Sequence, residues 1–428
     1  MKKNVIKLTA AIAIICGIYT SCSNDDNVSY VQKKEDVTLS IAEGDVQTYI
    51  DENFVIDSQT KATAYVTYEW FVDNQSVSKT TALDYVFTQG GIYDVKLIVN
   101  QNGVNFEYNY KVEAIYRPID APTAGATAYI TKVLDYLPSI GQFTNRLPAY
   151  AAGDTQEIMN QKVLASIGNN KRSMITLGGY GGYVVVGFDH TIQNIAGKRD
   201  FRVLGNAFYG TLNGAEGNSC EPGIIMVAYD KNKNGKPDQD EWFEIEGSAH
   251  KDPTAELWYN RALTAGNDVN LYRDYQITFT RPSVEPKTAA EKTKYIHWQD
   301  NKGNSGYKVK NNFHSQPYYP QWHTSDQLTF KGTRLPENGI DESGKGTYFV
   351  LYKFIYGYAD NETNLKDESG IDIDWAINSK GQKVKLPGVD FIKIYTGVNQ
   401  ENGWLGENST EITSVEDLHI LGVDIATR

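Results

Sequence analysis

Tyr93-Asp94-Val95-Lys96-Leu97-Ile98-Val99 and Phe106-Glu107-Tyr108-Asn109-Tyr110-Lys111-Val112 flank the pair Asn102-Gly103. Asn and Gly tolerate the positive φ angles of a tight turn, so two runs of strand-forming residues around them predict a β-hairpin. Upstream, Tyr68-Glu69-Trp70-Phe71-Val72 reads as a strand before a polar turn at Asp73-Asn74-Gln75, and Asp84-Tyr85-Val86-Phe87 as another, ended by Gly90-Gly91. Together these pieces predict a small β-sandwich from about Val37 to Ile115. Pro118-Ile119-Asp120-Ala121-Pro122-Thr123-Ala124-Gly125 breaks regular structure and marks a boundary with few contacts across it.

Beyond the boundary one helix is expected. Asp154-Thr155-Gln156-Glu157 has capping-box spacing, an acceptor at Asp154 and a carboxylate three residues on, which starts a helix running from about Thr155 to Ile167. Strand signals follow at 183–188, 222–229, 275–280, 347–352 and 391–396, separated by long polar loops. Such spacing favours a β-sandwich over an alternating α/β plan. The expected architecture is therefore all-β: a sandwich over 37–117, then a larger jelly-roll-like sandwich over 126–428 with a few short helices.

The amino terminus supplies an address. Met1-Lys2-Lys3-Asn4-Val5-Ile6-Lys7, an apolar stretch from Leu8 to Ile18 and Tyr19-Thr20-Ser21-Cys22 read as a lipoprotein export signal over residues 1–21. The apolar segment is too short for a stable span, and small residues precede the cysteine that would carry lipid. Residues 22–36 form a tether, whose Ser23-Asn24-Asp25-Asp26-Asn27 resembles the surface-export signals of Bacteroidota lipoproteins and implies the outer face of the outer membrane. Loss of three lysines with the signal takes the formal charge from −12 to −15. That balance argues against a nucleic-acid partner, because phosphate binding wants a basic face. Of three cysteines, Cys16 leaves with the signal and Cys22 is lipidated, so Cys220 has no partner for an internal disulfide.

The sharpest motif is Asp230-Lys231-Asn232-Lys233-Asn234-Gly235-Lys236-Pro237-Asp238-Gln239-Asp240-Glu241. Asp230, Asn232, Asn234, Asp238 and Glu241 place oxygen side chains at calcium-loop spacing, Gly235 sits at the sharp turn, and Lys236 offers its carbonyl. A structural Ca2+ is expected there; an Asp/Asn/Gly-rich turn between strands looks similar. Asp367-Glu368-Ser369-Gly370-Ile371-Asp372-Ile373-Asp374-Trp375 is a second acidic cluster, read as a strand with one polar face or a second cation site ahead of a catalytic carboxylate pair. No Gly-x-Ser-x-Gly, His-Glu-x-x-His, phosphate loop or Cys-x-x-Cys is present, and the six histidines are scattered. Nothing beside Cys220 would activate it as a nucleophile. The expectation is a protein that is not an enzyme.

Tyrosine is abundant, with 29 in the chain, which suits both strands and binding surfaces. Phe313-His314-Ser315-Gln316-Pro317-Tyr318-Tyr319-Pro320-Gln321-Trp322-His323 is barred by its prolines from helix or inner strand. With Tyr356, Tyr358 and Trp404 in glycine-flanked loops, it suggests a groove for a large flat or ring-rich ligand, sugar or macrocycle; packing at the end of a core is the competing account for each ring.

Two resemblances complete the reading. The order Tyr-x-Trp, turn, Gly-x-Tyr-Asp-Val resembles PKD-like immunoglobulin-type domains, which implies a spacer. Gly187-Phe188-Asp189-His190, Asp200-Phe201 with Gly205-Asn206-Ala207-Phe208, Glu221-Pro222-Gly223-Ile224, the Asn-Gly loop before Trp242, Tyr356-Gly357-Tyr358-Ala359-Asp360-Asn361, Asp372-Ile373-Asp374-Trp375 and Thr396–Glu407 are similar to a family of Bacteroidota cell-surface lipoproteins over residues 130–425. Some members resemble proteins that capture cobalamin (vitamin B12) for an outer-membrane transporter. This implies a corrinoid-binding domain with Tyr318, Tyr319, Trp322 and Trp404 at the apolar rim and His314 and His323 at amide groups or cobalt. A glycan-binding lipoprotein of a polysaccharide uptake system uses the same aromatics, and a glycosidase near Asp372 is the third possibility.

Overall fold

The computed structural model describes residues 33–34, 37–59, 65–364 and 366–428; the export signal and Cys22 lie outside the described residues, as does all of the tether except 33–34. Among the described residues the first unit has seven strands: β1 Gly44–Tyr49, β2 Asn53–Asp57, β3 Val66–Val72, β4 Gln75–Ser78, β5 Ala82–Val86, β6 Gly91–Gln101 and β7 Val104–Ile115. One sheet has the order β1-β7-β6-β3-β4 and faces the pair β2-β5. β1 runs parallel to β7, whereas β6 and β7 form the expected antiparallel hairpin with Gln101 opposite Val104. Asn102 and Gly103 take φ of 51° and 84°, the two positive values that a two-residue turn matched to strand twist requires. Alternation along the hairpin sends Val95, Leu97, Val99, Tyr108, Tyr110 and Val112 into one core with Phe54, Ile56 and Leu83 of the opposite sheet. Trp70 is fully buried at its centre, and its indole N–H donates to the Thr80 carbonyl at 3.2 Å.

The larger unit is built on a six-stranded sheet. Its order is Ala376–Ile377, Trp242–Ile245, Gly223–Ala228, Gly388–Thr396, Tyr183–Gln193 and Lys132–Leu137, every neighbour antiparallel. Both faces are covered. Ile225, Val227, Ile392 and Ile394 pack against Met159, Val163 and Ile167 of the helix and against Phe201, Val203 and Val415. On the other face, Ile224 and Tyr395 meet Trp258, Tyr352 and Phe354. Burial on both sides explains why the central strand reads as a run of apolar residues rather than an alternation. A four-stranded sheet of Phe208–Leu212, Ala215–Ser219, Phe349–Tyr352 and Gly339–Asp341 lies on this second side, and another joins Ser305–Lys308, Ile296–Asp300, Tyr272–Thr280 and Gln327–Arg334.

The helix spans Gln156–Ile167, capped by Thr155, whose hydroxyl accepts from the Ile158 N–H, and not by Asp154. Asp154 accepts instead from the Ala151 N–H at 2.6 Å and pairs with Lys162, so the acceptor lies one residue later than its spacing to Glu157 suggests. Asp367–Trp375 is also not an alternating strand. Ile373–Trp375 is a 3₁₀ turn capped by Asp372, and Asp374 bonds Asn194 and Lys385, so Asp372 and Asp374 have local structural partners. The joint near Pro118 is better packed than its composition suggests. Tyr116 meets Tyr229 edge-on at 5.4 Å, Lys231 reaches Asp51 at 3.5 Å, and a Cβ on Gly90 would come 2.4 Å from the Lys385 carbonyl oxygen.

Candidate ligand-binding pocket

The aromatic loop expected to face a ligand closes a core instead. Tyr318, Tyr319 and Trp322 are 2, 1 and 7 % exposed, and the two tyrosines pack with Phe279, Leu328 and Phe330. Trp322 stacks on Tyr136 at 5.8 Å and donates to Gln156 Oε1 at 3.0 Å; Tyr319 donates to the Ser325 carbonyl and lies under Arg281. The rings of Tyr318, Tyr319 and Trp322 are thus turned inward. Tyr358 is buried beside His250, Tyr356 lies edge-on to Trp375, His314 sits against Phe143, and His323 is 3.4 Å from the Gln327 carbonyl. The expected common surface is not formed by these residues. Of the residues expected to contact a ligand, Trp404 is exposed, at 53 %, and Phe313 at the start of the aromatic loop also faces solvent.

Trp404 opens a different site. It stands on the 3₁₀ turn Gly403–Leu405, held by an indole N–H bond of 3.3 Å to the Thr347 carbonyl. Gly403 has φ of 56°, and a Cβ there would come 2.5 Å from the Phe349 ring, so the turn can lie on that ring only with glycine at its base. Between the turn and the sheet face carrying Asn218, Phe349 and Leu351 is a pocket of about 380 Å³. Exposed Phe208 and Tyr348 share its rim with Trp404, and Glu221, Glu407 and Glu411 line its interior with Gln142, Asn206, Asn402 and Ser409.

Each carboxylate is fixed by the chain around it. Asp360, directly behind, accepts from the N–H groups of Asn206 and Ala207 on one oxygen and of Glu411 on the other, at 2.8–2.9 Å. Glu411 accepts from Thr176 Oγ1 and Ser409 Oγ at 3.1 and 2.8 Å, Glu221 from the Ser409 N–H at 3.0 Å, and Glu407 from the Gln142 N–H at 2.7 Å. Oxygens of Glu221, Asp360 and Glu411 lie within 4.8 Å of one another. Burial first, then mutual repulsion, raises the carboxyls of Glu221 and Glu411 well above their usual range; burial is the leading cause for Asp360 also. Glu407 is pushed up to about 8, chiefly by burial and next by Glu401.

The 230–241 loop folds as a tight knot of side-chain turns. Asp230 accepts from the N–H groups of Asn234 and Gly235, Asn234 Oδ1 accepts from the Lys236 N–H at 2.9 Å, and the amides of Asn232 and Asn234 both donate to Asp238 Oδ2 at 2.6 and 2.9 Å. Four of the expected oxygen-bearing side chains therefore converge. Glu241 does not join them: its two oxygens accept from the N–H groups of Lys231 and Asp238, both at 2.9 Å, and close the loop at its ends.

Spacing along the chain gave no pointer to Glu221, Glu407, Glu411 or Phe208 as one site, because strands bring them together from distant segments. The usable signal was the set of Asn-, Gly- and Glu-bearing segments at strand ends, 205–208, 221–224, 356–361 and 403–407, which meet around this pocket. No protein-family model and no curated protein matches the chain. Among solved structures it is similar to a quinoprotein alcohol dehydrogenase-like protein from Bacteroides thetaiotaomicron (14 % identity, 37 % of this chain, TM-score 0.16), and spans only 34 % of that protein. A SusE-like protein is 8 % identical over 89 % of this chain and 96 % of its own, with TM-score 0.21. The SGBP-B protein of a Bacteroides ovatus mixed-linkage glucan utilization locus, solved with a mixed-linkage heptasaccharide, is 10 % identical over 87 % of this chain and all of its own, with TM-score 0.17. Likenesses at this level bear on neither ligand nor partner. Among the described residues no helix is long and apolar enough to cross a membrane.

Proposed function

We propose that the chain is a surface lipoprotein, anchored through lipid on Cys22, whose pocket beneath Trp404 binds a glycan. The observation behind this reading is the juxtaposition of exposed Trp404, Phe208 and Tyr348 with an interior of carboxylate and amide groups. A sugar ring has an apolar face for an aromatic and hydroxyls for fixed acceptors and donors, and the pocket offers both at once. A corrinoid needs a broad apolar platform. Tyr318, Tyr319 and Trp322, expected to supply one, are in the core, so the glycan alternative displaces cobalamin as the leading reading. The first unit would hold the pocket away from the membrane, and a surface receptor of this kind would serve an outer-membrane transporter.

A glycan array followed by calorimetry on the wild type and Trp404→Ala tests it. Binding weakened roughly tenfold or more by the substitution is expected, the scale of a lost aromatic stack. A blank array together with corrin absorbance co-eluting with the protein would reverse the choice of ligand. Glu407, held protonated near neutral pH, has the state a general acid needs. A reducing-end assay on every bound glycan is expected to show no release.

We also propose that the 230–241 loop takes a structural Ca2+ through Asp230, Asn232, Asn234, Asp238 and the Lys236 carbonyl. The convergence of the four side chains supports it, and Glu241 acts as the clasp rather than a ligand.

A further inference from the structure

The pocket under Trp404 has a one-sided charge. Glu221, Glu407 and Glu411 line it, Asp360 backs it, and among the described residues no Lys, Arg or His forms its walls. An acidic or sulfated sugar is therefore disfavoured, since nothing there would balance its charge. Asn402 gives an independent sign of a missing occupant. Asn402 belongs to the pocket wall and is 1 % exposed, with its Oδ1 turned against Gly339, and neither its Oδ1 nor its Nδ2 has a hydrogen-bond partner. A buried amide left so is costly unless a ligand completes it. Exposed Trp404 and Phe208 line the same pocket. Aromatic faces attract an organic cation, and a dehydrated metal ion has no use for an apolar rim.

We infer that the pocket selects a ligand bearing an ammonium group, such as an amino sugar whose nitrogen is not acetylated, with the cation held between the aromatic rim and the Glu221, Glu407 and Glu411 carboxylates. This rests on the glycan reading only for the sugar part of the ligand. The ammonium hydrogens reach the carboxylate oxygens and a ring face lies along Trp404. Glu221 is faced by Asp360, Glu411 and Glu407; Glu407 is faced by Glu401 and, from further off, by Lys308, which is itself tied to Glu401 at 2.7 Å. With no cation in the walls, the carboxyls hold protons near neutral pH, and a bound ammonium releases them. The acidic charge of the whole chain also steers a cation toward the protein.

Calorimetry on the full chain in detergent tests this with three probes: chitosan oligosaccharides, their fully N-acetylated counterparts of equal length, and cyclohexylammonium, which keeps the charge and discards the hydroxyls. Chitosan oligosaccharides are expected to bind roughly tenfold or more tighter than the acetylated series, with proton release seen as a dependence on buffer ionisation heat. Cyclohexylammonium, whose amine stays charged throughout, is expected to bind tighter as pH rises from about 6 to about 9. Glu407→Gln, close to isosteric, should weaken both cations several-fold, and Trp404→Ala, on the surface and away from the core, serves should that variant fold poorly. Equal binding of the two sugar series overturns the inference and leaves the glycan reading standing. Binding of cyclohexylammonium as tight as that of the amino sugar keeps the cation site and overturns the glycan reading. No binding of either cation, or Ca2+ binding in the pocket that Glu407→Gln abolishes while both ammonium probes stay blank, overturns the inference.

Discussion

Gly403 shows how much of the pocket hangs on one residue. Its positive φ and its contact with the Phe349 ring leave no room for a methyl group. Gly403→Ala is expected to cost about 1–3 kcal/mol, from left-handed backbone and overpacking together, and to reduce ligand binding by displacing Trp404. Urea unfolding and calorimetry on the same variant separate the two effects, and unchanged binding would detach Trp404 from the site. Trp70 is the contrasting case. Its ring is wholly inside the first core, so Trp70→Ala should cost about 3–5 kcal/mol and leave pocket binding alone in whatever fraction stays folded. Trp70 was legible as a strand residue from its neighbours. Tyr318, Tyr319 and Trp322 were misread because a Pro-flanked aromatic run looks the same whether its rings face water or turn inward.

At the level of elements, local chemistry spoke plainly wherever backbone geometry demanded a residue type. The Asn102-Gly103 turn fixed the β6–β7 register, and the main strands of the larger unit fell where apolar runs lay. The 371–375 alternation failed because Asp372 hydrogen-bonds the Asp374 N–H, an Asx-type turn that competes with strand pairing. The helix start slipped by one residue for a related reason: two adjacent acceptors, Asp154 and Thr155, offer themselves, and Lys162 draws the first away. Thr155→Ala should therefore cost about 1 kcal/mol through the lost cap, a figure that urea midpoints can check. The 230–241 loop yields an element-scale prediction as well. Chelation is expected to lower the midpoint of thermal unfolding, and Asp230→Ala should abolish both that response and the two turn bonds to Asn234 and Gly235. An unchanged midpoint on chelation would remove Ca2+ from the loop. Because Lys231 in the same loop reaches Asp51, protease nicking near the joint is the readout for whether the loop also braces the two units.

Across the whole molecule, buried acids make stability fall with pH over a range where many proteins are at their best. Glu407 titrates from 4.5 when unfolded to about 8 when folded, so the folded state holds more protons in between. Its effect is most favourable below the unfolded value and is lost as pH rises toward the folded one. Glu221, Glu411 and Asp360 shift in the same direction and add to it. His190, between Asp189 and Asp417, and His419, on Asp200, have raised values despite the opposing cost of burial. Their pairing stabilises the fold fully below the ordinary histidine range and fades as pH climbs through their folded values. On the acid side, Glu244 is held low against the pull of burial by its bond to His250, and Asp300 by bonds from Asn304, so that stabilisation fades as pH falls through their depressed values. From these directions the stability maximum is expected on the mildly acidic side of neutrality. Thermal midpoints should drop by several degrees between about pH 5 and about pH 9. Glu407→Gln removes one contributor, so its midpoint should fall less steeply over that interval. A profile flat from pH 5 to pH 9 in the wild type, or one equally steep in Glu407→Gln, would show that the pocket carboxyls do not carry the protons assigned to them.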